Sequence, residues 1–360
     1  MLIAVAGPAV NLLFAVLTLW LLFIIGVPDF KPTIGTVNSD SVLARAQIGE
    51  GDNIVAINGS GVDTLSDANL YLVDALGSAA VPLVAVDKNG RQKTAMLDLS
   101  NYQAGHEMAV NRLVGFNWAL AKAYDNQPLS AVRVISGAAA EKAGLKSGDL
   151  IVKINESLPT TVADFVHLIQ ASPQQPIALT VSRQGQTLPI TLIPQLSADN
   201  PLQGYAGLSI GQQRDEAALA EYQTTKRYGW LMALPKSISA NYLQGELMLK
   251  TLWRLVVGKA SVDNLGGPIT IADYSGKTLE AGYVFYFQFL AAISLVLAVM
   301  NLLPLPVLDG GHIAMCLLEM VRGKPLSERA LDILMRLGGS VVLTFMLFVV
   351  TLDIWRYLFK

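Results

Sequence analysis

Asp309 ends a run of 28 uncharged residues that begins at Ala281, inside the stretch Asn301-Leu302-Leu303-Pro304-Leu305-Pro306-Val307-Leu308-Asp309-Gly310-Gly311-His312. An ionised carboxylate in hydrocarbon costs at least ~2.5–3.5 kcal/mol, so it is retained where a counter-charge, a water-filled cavity or a metal compensates it. Of these, a bound metal is the favoured reading. The structural alternative is that Asp309 caps a helix starting after Gly310. Pro304 and Pro306 each remove a backbone donor and clash with the preceding turn, so the span is expected to break beside them. Broken backbone at membrane depth is tolerated where it lines a protein cavity.

The rest of the chain must place that acid. Of its 360 residues 52% are hydrophobic and only 15% charged, and the mean hydropathy is positive, which excludes an ordinary soluble enzyme. A net charge of −2 argues against a nucleic-acid partner, which calls for a concentrated basic face. The single Cys316 rules out an intrachain disulfide and reads as a small buried apolar residue. Residues 1–28 carry no charged side chain and are long enough to cross a bilayer, and they lack the basic start of a signal peptide. A second span is expected over about 281–305. A third, over about 333–355, has its apolar centre at Leu337 to Leu352. The short loop between these two carries Arg322, Lys324, Arg329 and Arg336, and so is expected on the cytoplasmic side. The long region after the first span then lies opposite, in the periplasm of a Gram-negative cell.

That region repeats itself. Ala46 to Asn58, with Gly51-Asp52-Asn53-Ile54-Val55-Ala56-Ile57-Asn58 at its end, returns 97 residues later as Ala143 to Asn155, ending Gly148-Asp149-Leu150-Ile151-Val152-Lys153-Ile154-Asn155. A period of that size means two domains rather than a solenoid. In each copy Gly-Asp turns the chain into a strand, and Asn58-Gly59 or Asn155-Glu156 makes the next turn. A helix follows (Thr64 to Leu76, Thr161 to Gln170), then a hairpin with Asn89-Gly90 or Gln184-Gly185 at its tip. Each unit is expected to be a small α+β barrel or sandwich. Residues 212–216 read as a linker. Beyond them Leu243, Leu247, Met248, Leu252 and Leu255, with Lys250 and Arg254 interleaved, predict an amphipathic helix within Tyr228 to Ala272. It is placed on the outer membrane surface, beside an incoming substrate helix, or over the periplasmic domains.

The doubled Gly-Asp-x-Ile-Val-x-Ile-Asn pattern resembles that of bacterial PDZ domains, which bind an extended peptide beside a sheet edge. By that resemblance Ile34, Gly35, Thr36 and Val37 in one unit, and Val132, Arg133, Val134 and Ile135 in the other, are the expected groove strands. With Asn-x-x-Pro-x-Pro-x-Leu-Asp-Gly following the second span, the whole chain resembles the site-2 protease family. Gly7-Pro8-Ala9-Val10-Asn11 and Leu265-Gly266-Gly267-Pro268-Ile269 match further motifs.

The resemblance implies a multi-domain integral membrane protein with an α-helical transmembrane core and two periplasmic α+β PDZ domains. Its parts are a transmembrane helix at 1–28, PDZ domains at 30–122 and 126–211, an amphipathic or linker region at 226–280, and a carboxy-terminal protease core at 281–360. It implies a Zn2+ metalloendopeptidase of the bacterial inner membrane, cutting transmembrane segments of single-pass proteins. An anti-sigma factor of the envelope stress response and signal-peptide remnants are the implied substrates. Asp309 is the implied zinc ligand, and Asn301 the implied amide that positions substrate or stabilises the oxyanion; a helix–helix hydrogen bond is its structural alternative.

Catalytic zinc takes three protein ligands and one open position. The family's His-Glu-x-x-His is absent from these 360 residues, whose histidines are His106, His167 and His312. His106 and His167 fall in the PDZ region, and His312 suits packing or an outer-sphere role. The expectation is therefore that an amino-terminal portion carrying two ligands and the general base precedes Met1. The alternative is a membrane scaffold that keeps its PDZ domains for peptides and has lost hydrolysis.

Overall fold

The computed structural model describes residues 2–101, 110–124, 127–158, 161–197, 202–257 and 266–359. The charge-free amino-terminal segment forms α1 (Leu2–Ile25), continuous through Pro8. After it β1 (Val27–Phe30) leads into the first α+β unit.

That unit comprises β2 (Ile34–Val37), α2 (Val42–Arg45), β3 (Asn53–Ile57), β4 (Ser60–Gly61), α3 (Leu65–Asp74), β5 (Val81–Val86), β6 (Gln92–Leu97), α4 (Val110–Val114) and β7 (Phe116–Trp118). A 3-10 turn, Ala119–Tyr124, connects it to the second unit. There follow β8 (Leu129–Val134), α5 (Ala139–Lys142), β9 (Leu150–Ile154), α6 (Val162–Ala171), β10 (Ile177–Arg183), β11 (Gln186–Leu192), β12 (Gln195–Leu196), β13 (Gly204–Tyr205) and β14 (Leu208–Gln212). Asn58-Gly59 and Asn155-Glu156 hold positive φ at the expected turns. Thr64 and Thr161 cap α3 and α6 by accepting the amide hydrogens of Asp67 and Asp164, so each helix starts where its polar leader predicts. Apolar faces close on two separate cores, one around Ile34, Ile54, Leu72, Leu83 and Phe116, the other around Leu129, Ile151, Phe165, Leu179 and Val181.

The repeated Gly-Asp has more to do than turn the chain. Gly51 and Gly148 sit at φ +87° and +91°, a left-handed conformation open to glycine. The aspartate after each is buried and faces a cation from the closing hairpin. Asp52 pairs with Lys93 at 2.7 Å, and Asp149 receives Arg183 in a fork, Nε at 2.6 Å and a terminal guanidinium nitrogen at 2.7 Å. Asp52 also accepts from the Gly49 amide and Asp149 from that of Lys146, fixing the turn and hairpin together.

The strands expected at the groove edges are each paired along one flank by the final strand of their unit. The second sheet runs β11-β10-β9-β8-β14, so Val132, Arg133 and Val134 lie on a strand flanked on both sides, and Ile135 just beyond it donates its amide to Gly207. In the first unit β2 pairs with β7, Ile34 opposite Trp118 and Val37 opposite Phe116, while its other side bonds Gly51 and Asp52. Ile34 is fully buried. Among the described residues β11 and β14 are the edges of the five-stranded sheet, and β2 and β7 pair as two strands.

After β14, Asp215 caps α7 (Glu216–Tyr222), so the expected linker is divided between a strand and a helix cap. Next, β15 (Gln223–Lys226) pairs antiparallel with β1 and returns the chain to the end of α1. The amphipathic region forms two helices, α8 (Trp230–Val256) and α9 (Pro268–Ala281). Basic residues of α8 face the first unit: Lys250 pairs with Asp74 at 2.7 Å, and Arg254 donates to the Leu76 carbonyl. Just before α8, Lys226 pairs with Asp67, and the Tyr228 hydroxyl donates to Asp63 at 2.6 Å. Burial, reinforced by the Asp63 carboxylate, pushes the Tyr228 phenol well above its usual pKa. The chain ends in α10 (Tyr283–Leu302), α11 (Asp309–Arg322) and α12 (Glu328–Phe359).

Among the described residues three helical segments are long and apolar enough to cross a membrane: Ala4–Ile25, Tyr283–Leu302 and Leu331–Trp355. The first two pack antiparallel, since Val284 meets the cluster of Leu22 and Phe23 while Ser294 Oγ donates to the Asn11 carbonyl at 2.9 Å.

The Arg183 guanidinium, hydrogen-bonded to Asp149, holds that carboxyl below its usual range. A carboxylate whose pKa falls on folding contributes stability above its unfolded value, about 3.9, and loses it as pH drops through the folded value. Urea unfolding followed across pH is expected to show the second unit weakening below about pH 4 and Asp149→Asn flattening that limb. Arg183→Met is expected to cost about 2–3 kcal/mol at neutral pH, by stranding a buried carboxylate.

Candidate metal centre at a broken membrane helix

The residue before a proline avoids the helical region, and α10 stops accordingly: Leu303, preceding Pro304, is extended at φ −61°, ψ 141°. Leu305 and Leu308 then close tight turns by donating to Leu303 and Leu305 carbonyls at 2.7 and 2.9 Å. Helix α11 starts at Asp309, with extended Leu308 in the capping position and no side chain capping it. Asp309 is therefore not the cap. It stands in the first turn, half-buried, where the helix's unpaired amides favour a negative charge.

Such a compact break needs backbone against backbone. A Cβ on Gly310 would lie 2.3 Å from the Leu302 carbonyl oxygen, and one on Gly311 2.1 Å from that of Leu305. On α12 a Cβ at Gly338 would come within 2.8 Å of Pro306 Cδ. From the other side, a Cβ at Gly7 of α1 would stand 3.0 Å from Asp309 Oδ2. The two glycines after Asp309 thus let the loop fold onto its own helix, and Gly7 and Gly338 let α1 and α12 close on either side.

Asn301 ends α10, half-buried, one short loop before Asp309. Its side chain makes no hydrogen bond among the described residues; the helix-to-helix bond in this region is made by Ser294 instead. His312 is exposed on α11 and takes no packing role. His167 is exposed on α6, and His106 lies outside the described residues. Among the described residues no three His, Cys, Asp or Glu side chains converge on a common point. Asp309 suits one corner of a metal site, as a carboxylate that no protein donor occupies among the described residues. These residues do not complete the set.

A second acid at membrane depth has a different role, one sequence reasoning missed. Asp353, 2% exposed in α12, accepts from the amides of Ile269 at 2.7 Å and Thr270 at 3.1 Å, and also bonds the Thr270 hydroxyl. It caps the first turn of α9 from another helix. Gly267 makes room, since a Cβ there would meet Asp353 Oδ2 at 2.6 Å. The signal was present in two places, an acid within an apolar span and a Gly-Gly-Pro start to a helix, but nothing local joins them.

Residues 1–345 match the model of peptidase family M50. The chain belongs to peptidase family M50. It is a membrane protein of that family, and its relatives have corresponding names. It is 35% identical over 348 residues to the regulator of sigma-E protease RseP of Escherichia coli, covering 96% of this chain and 76% of that one. It is 34% identical to protease RseP of Yersinia pestis, covering 95% and 75%. A protein of Vibrio cholerae named a putative zinc metalloprotease is 33% identical, covering 98% and 77%. Among solved structures, the PDZ domain of an SdrC-like protein from Listeria innocua aligns with 24% of this chain and 94% of its own, at 15% identity and a TM-score of 0.20.

Two substitutions check the geometry. Gly310→Ala is expected to destabilise the fold by about 1–3 kcal/mol, or to force the loop out of place, read by detergent-resistant thermal unfolding. Asp353→Ala removes the cap of α9, and amide hydrogen exchange at Ile269 and Thr270 is expected to rise by about ten-fold, equivalent to about 1.4 kcal/mol.

Proposed function

We propose that this family M50 protein is an intramembrane zinc metalloendopeptidase that cuts transmembrane segments of single-pass proteins. The observation that carries the reading is the placement of Asp309. A span ends at paired prolines, and the next helix opens on a carboxylate facing α1 between apolar helices. In this reading Asp309 is one zinc ligand, and the two others and the general base come from a His-Glu-x-x-His outside these 360 residues. Bound zinc would supply a Lewis acid and a water of lowered pKa.

The chain's own residues provide the setting. Asn301 holds a free amide at the end of α10, within one loop of Asp309, placed to hydrogen-bond the carbonyl of an unwound substrate segment. The loop from Leu303 to Leu308, extended at its two ends and closed by tight turns, interrupts the span where such a segment can be held open.

The two α+β units are assigned as PDZ domains in the periplasm that admit or dock substrates already trimmed outside the membrane. The basic loop of Arg322, Lys324, Arg329 and Arg336 lies in the cytoplasm, the protein being a multi-pass component of a bacterial inner membrane. The antiparallel α1 and α10 support this arrangement, as does the Asp353 contact that brings the far end of α12 to the start of α9. We assign a membrane-bound anti-sigma factor as a substrate, with signal-peptide remnants a second class.

The test is cleavage of a single-pass substrate in vesicles by the product of the whole open reading frame, with zinc content measured on the same samples. Asp309→Ala is expected to abolish cleavage and to lower bound zinc. Asn301→Ala is expected to keep zinc and lose about 10²–10³ in kcat. An intact product that binds periplasmic peptides yet holds no zinc and cleaves nothing would instead make the chain a membrane scaffold.

A further inference from the structure

We infer that Gly7 is a positioning residue for Asp309, and that α1 thereby forms one wall of the centre. The inference rests on the reading of Asp309 as a functional carboxylate.

Three observations lead there. The space a Cβ would take at Gly7 is met by the Asp309 carboxylate oxygen Oδ2, at 3.0 Å, closer than nearly all real Cβ contacts. The acid's own helix cannot retreat easily, because Gly310 and Gly311 are already pressed against the Leu302 and Leu305 carbonyls. Nor can α1 move away, since the Asn11 carbonyl one turn further on accepts from Ser294 of α10 and Ala15 is fully buried. Helix α1 and the broken span are thus tied together one turn beyond the contact. The Asp309 side chain is left to take up any added volume.

A methyl group at position 7 therefore turns the carboxylate rather than shifting a helix. Hydrogen bonds do not hold it in place, since no side chain donates to it among the described residues. Its direction is set by contact with the bare backbone of α1. Packing alone would be satisfied by any small apolar residue. The position demands glycine because the neighbouring atom is a carboxylate oxygen whose direction matters.

Two measurements on the product of the whole open reading frame decide the matter. With Cys316→Ala as background, Gly7→Cys with Asp309→Cys is expected to form a disulfide under mild oxidation. Val5→Cys with Asp309→Cys is expected not to, because position 5 is on the opposite face of the same turn. Equal or absent cross-linking of the two pairs overturns the contact, whatever the enzyme does. In the native-cysteine background, Gly7→Ala and Gly7→Val are expected to lower kcat progressively, by about 10- to 100-fold, at unchanged KM. Val5→Leu should leave both constants as they are. Full kcat in Gly7→Val, where Asp309→Ala is dead, overturns the positioning role and leaves the ligand reading intact. Full kcat in Asp309→Ala overturns the ligand reading and the role with it, even where the cross-link forms.

Discussion

A carboxylate at membrane depth has to be held by atoms that do not neutralise it, and most of the membrane part follows from how this is done. The helix carrying Asp309 begins only because the preceding one is stopped by Pro304 and Pro306. The loop between them can be that tight only because Gly310 and Gly311 admit the carbonyls of Leu302 and Leu305. Pro306 in turn seats on Gly338 of α12, and Asp309 on Gly7 of α1. A side chain at Gly310 or Gly311 would meet backbone carbonyls and one at Gly338 the Pro306 ring, whereas one at Gly7 would meet the Asp309 carboxylate. The centre is built from missing side chains as much as from present ones.

A similar economy ties the membrane helices to the region outside them. Asp353 is buried in a span yet satisfied, because its oxygens cap α9 just before the chain turns into α10. The strand pair β1·β15 returns the chain from two α+β units to the end of α1, and α8 meets the first unit through Lys250 and Arg254. Lys226, Tyr228, Lys250 and Arg254 join the first unit by ion pairs and hydrogen bonds, while each unit keeps its own apolar core.

Much of this was legible in the residues. Periodicity and the absence of charge located the spans, the prolines located the break, and the 97-residue repeat located both units with their turns and capped helices. What local pattern could not supply was pairing between distant strands. The strands around Ile34 and Val132 are the groove strands that the PDZ resemblance implies. One flank of each pairs with β7 or β14, which lie about eighty residues later, and only the folded sheet shows it. The same limit hid the partner of Asp353 and the contact between Gly7 and Asp309. Each joins residues far apart in the chain, and nothing local in either stretch points to its partner. The Gly-Asp of each repeat was read as a turn, and its glycine is one. The aspartate's ion pair with the closing hairpin depends on register across the sheet.

The most direct test of the account is zinc-edge X-ray absorption on the full open-reading-frame product, comparing the native protein with Asp309→Cys. If Asp309 ligates the metal, one oxygen scatterer at about 2.0–2.2 Å is replaced by sulfur at about 2.3 Å. An unchanged nitrogen and oxygen shell in the variant, with zinc still bound, would show that the metal is held elsewhere and that the carboxylate at the broken helix serves another purpose.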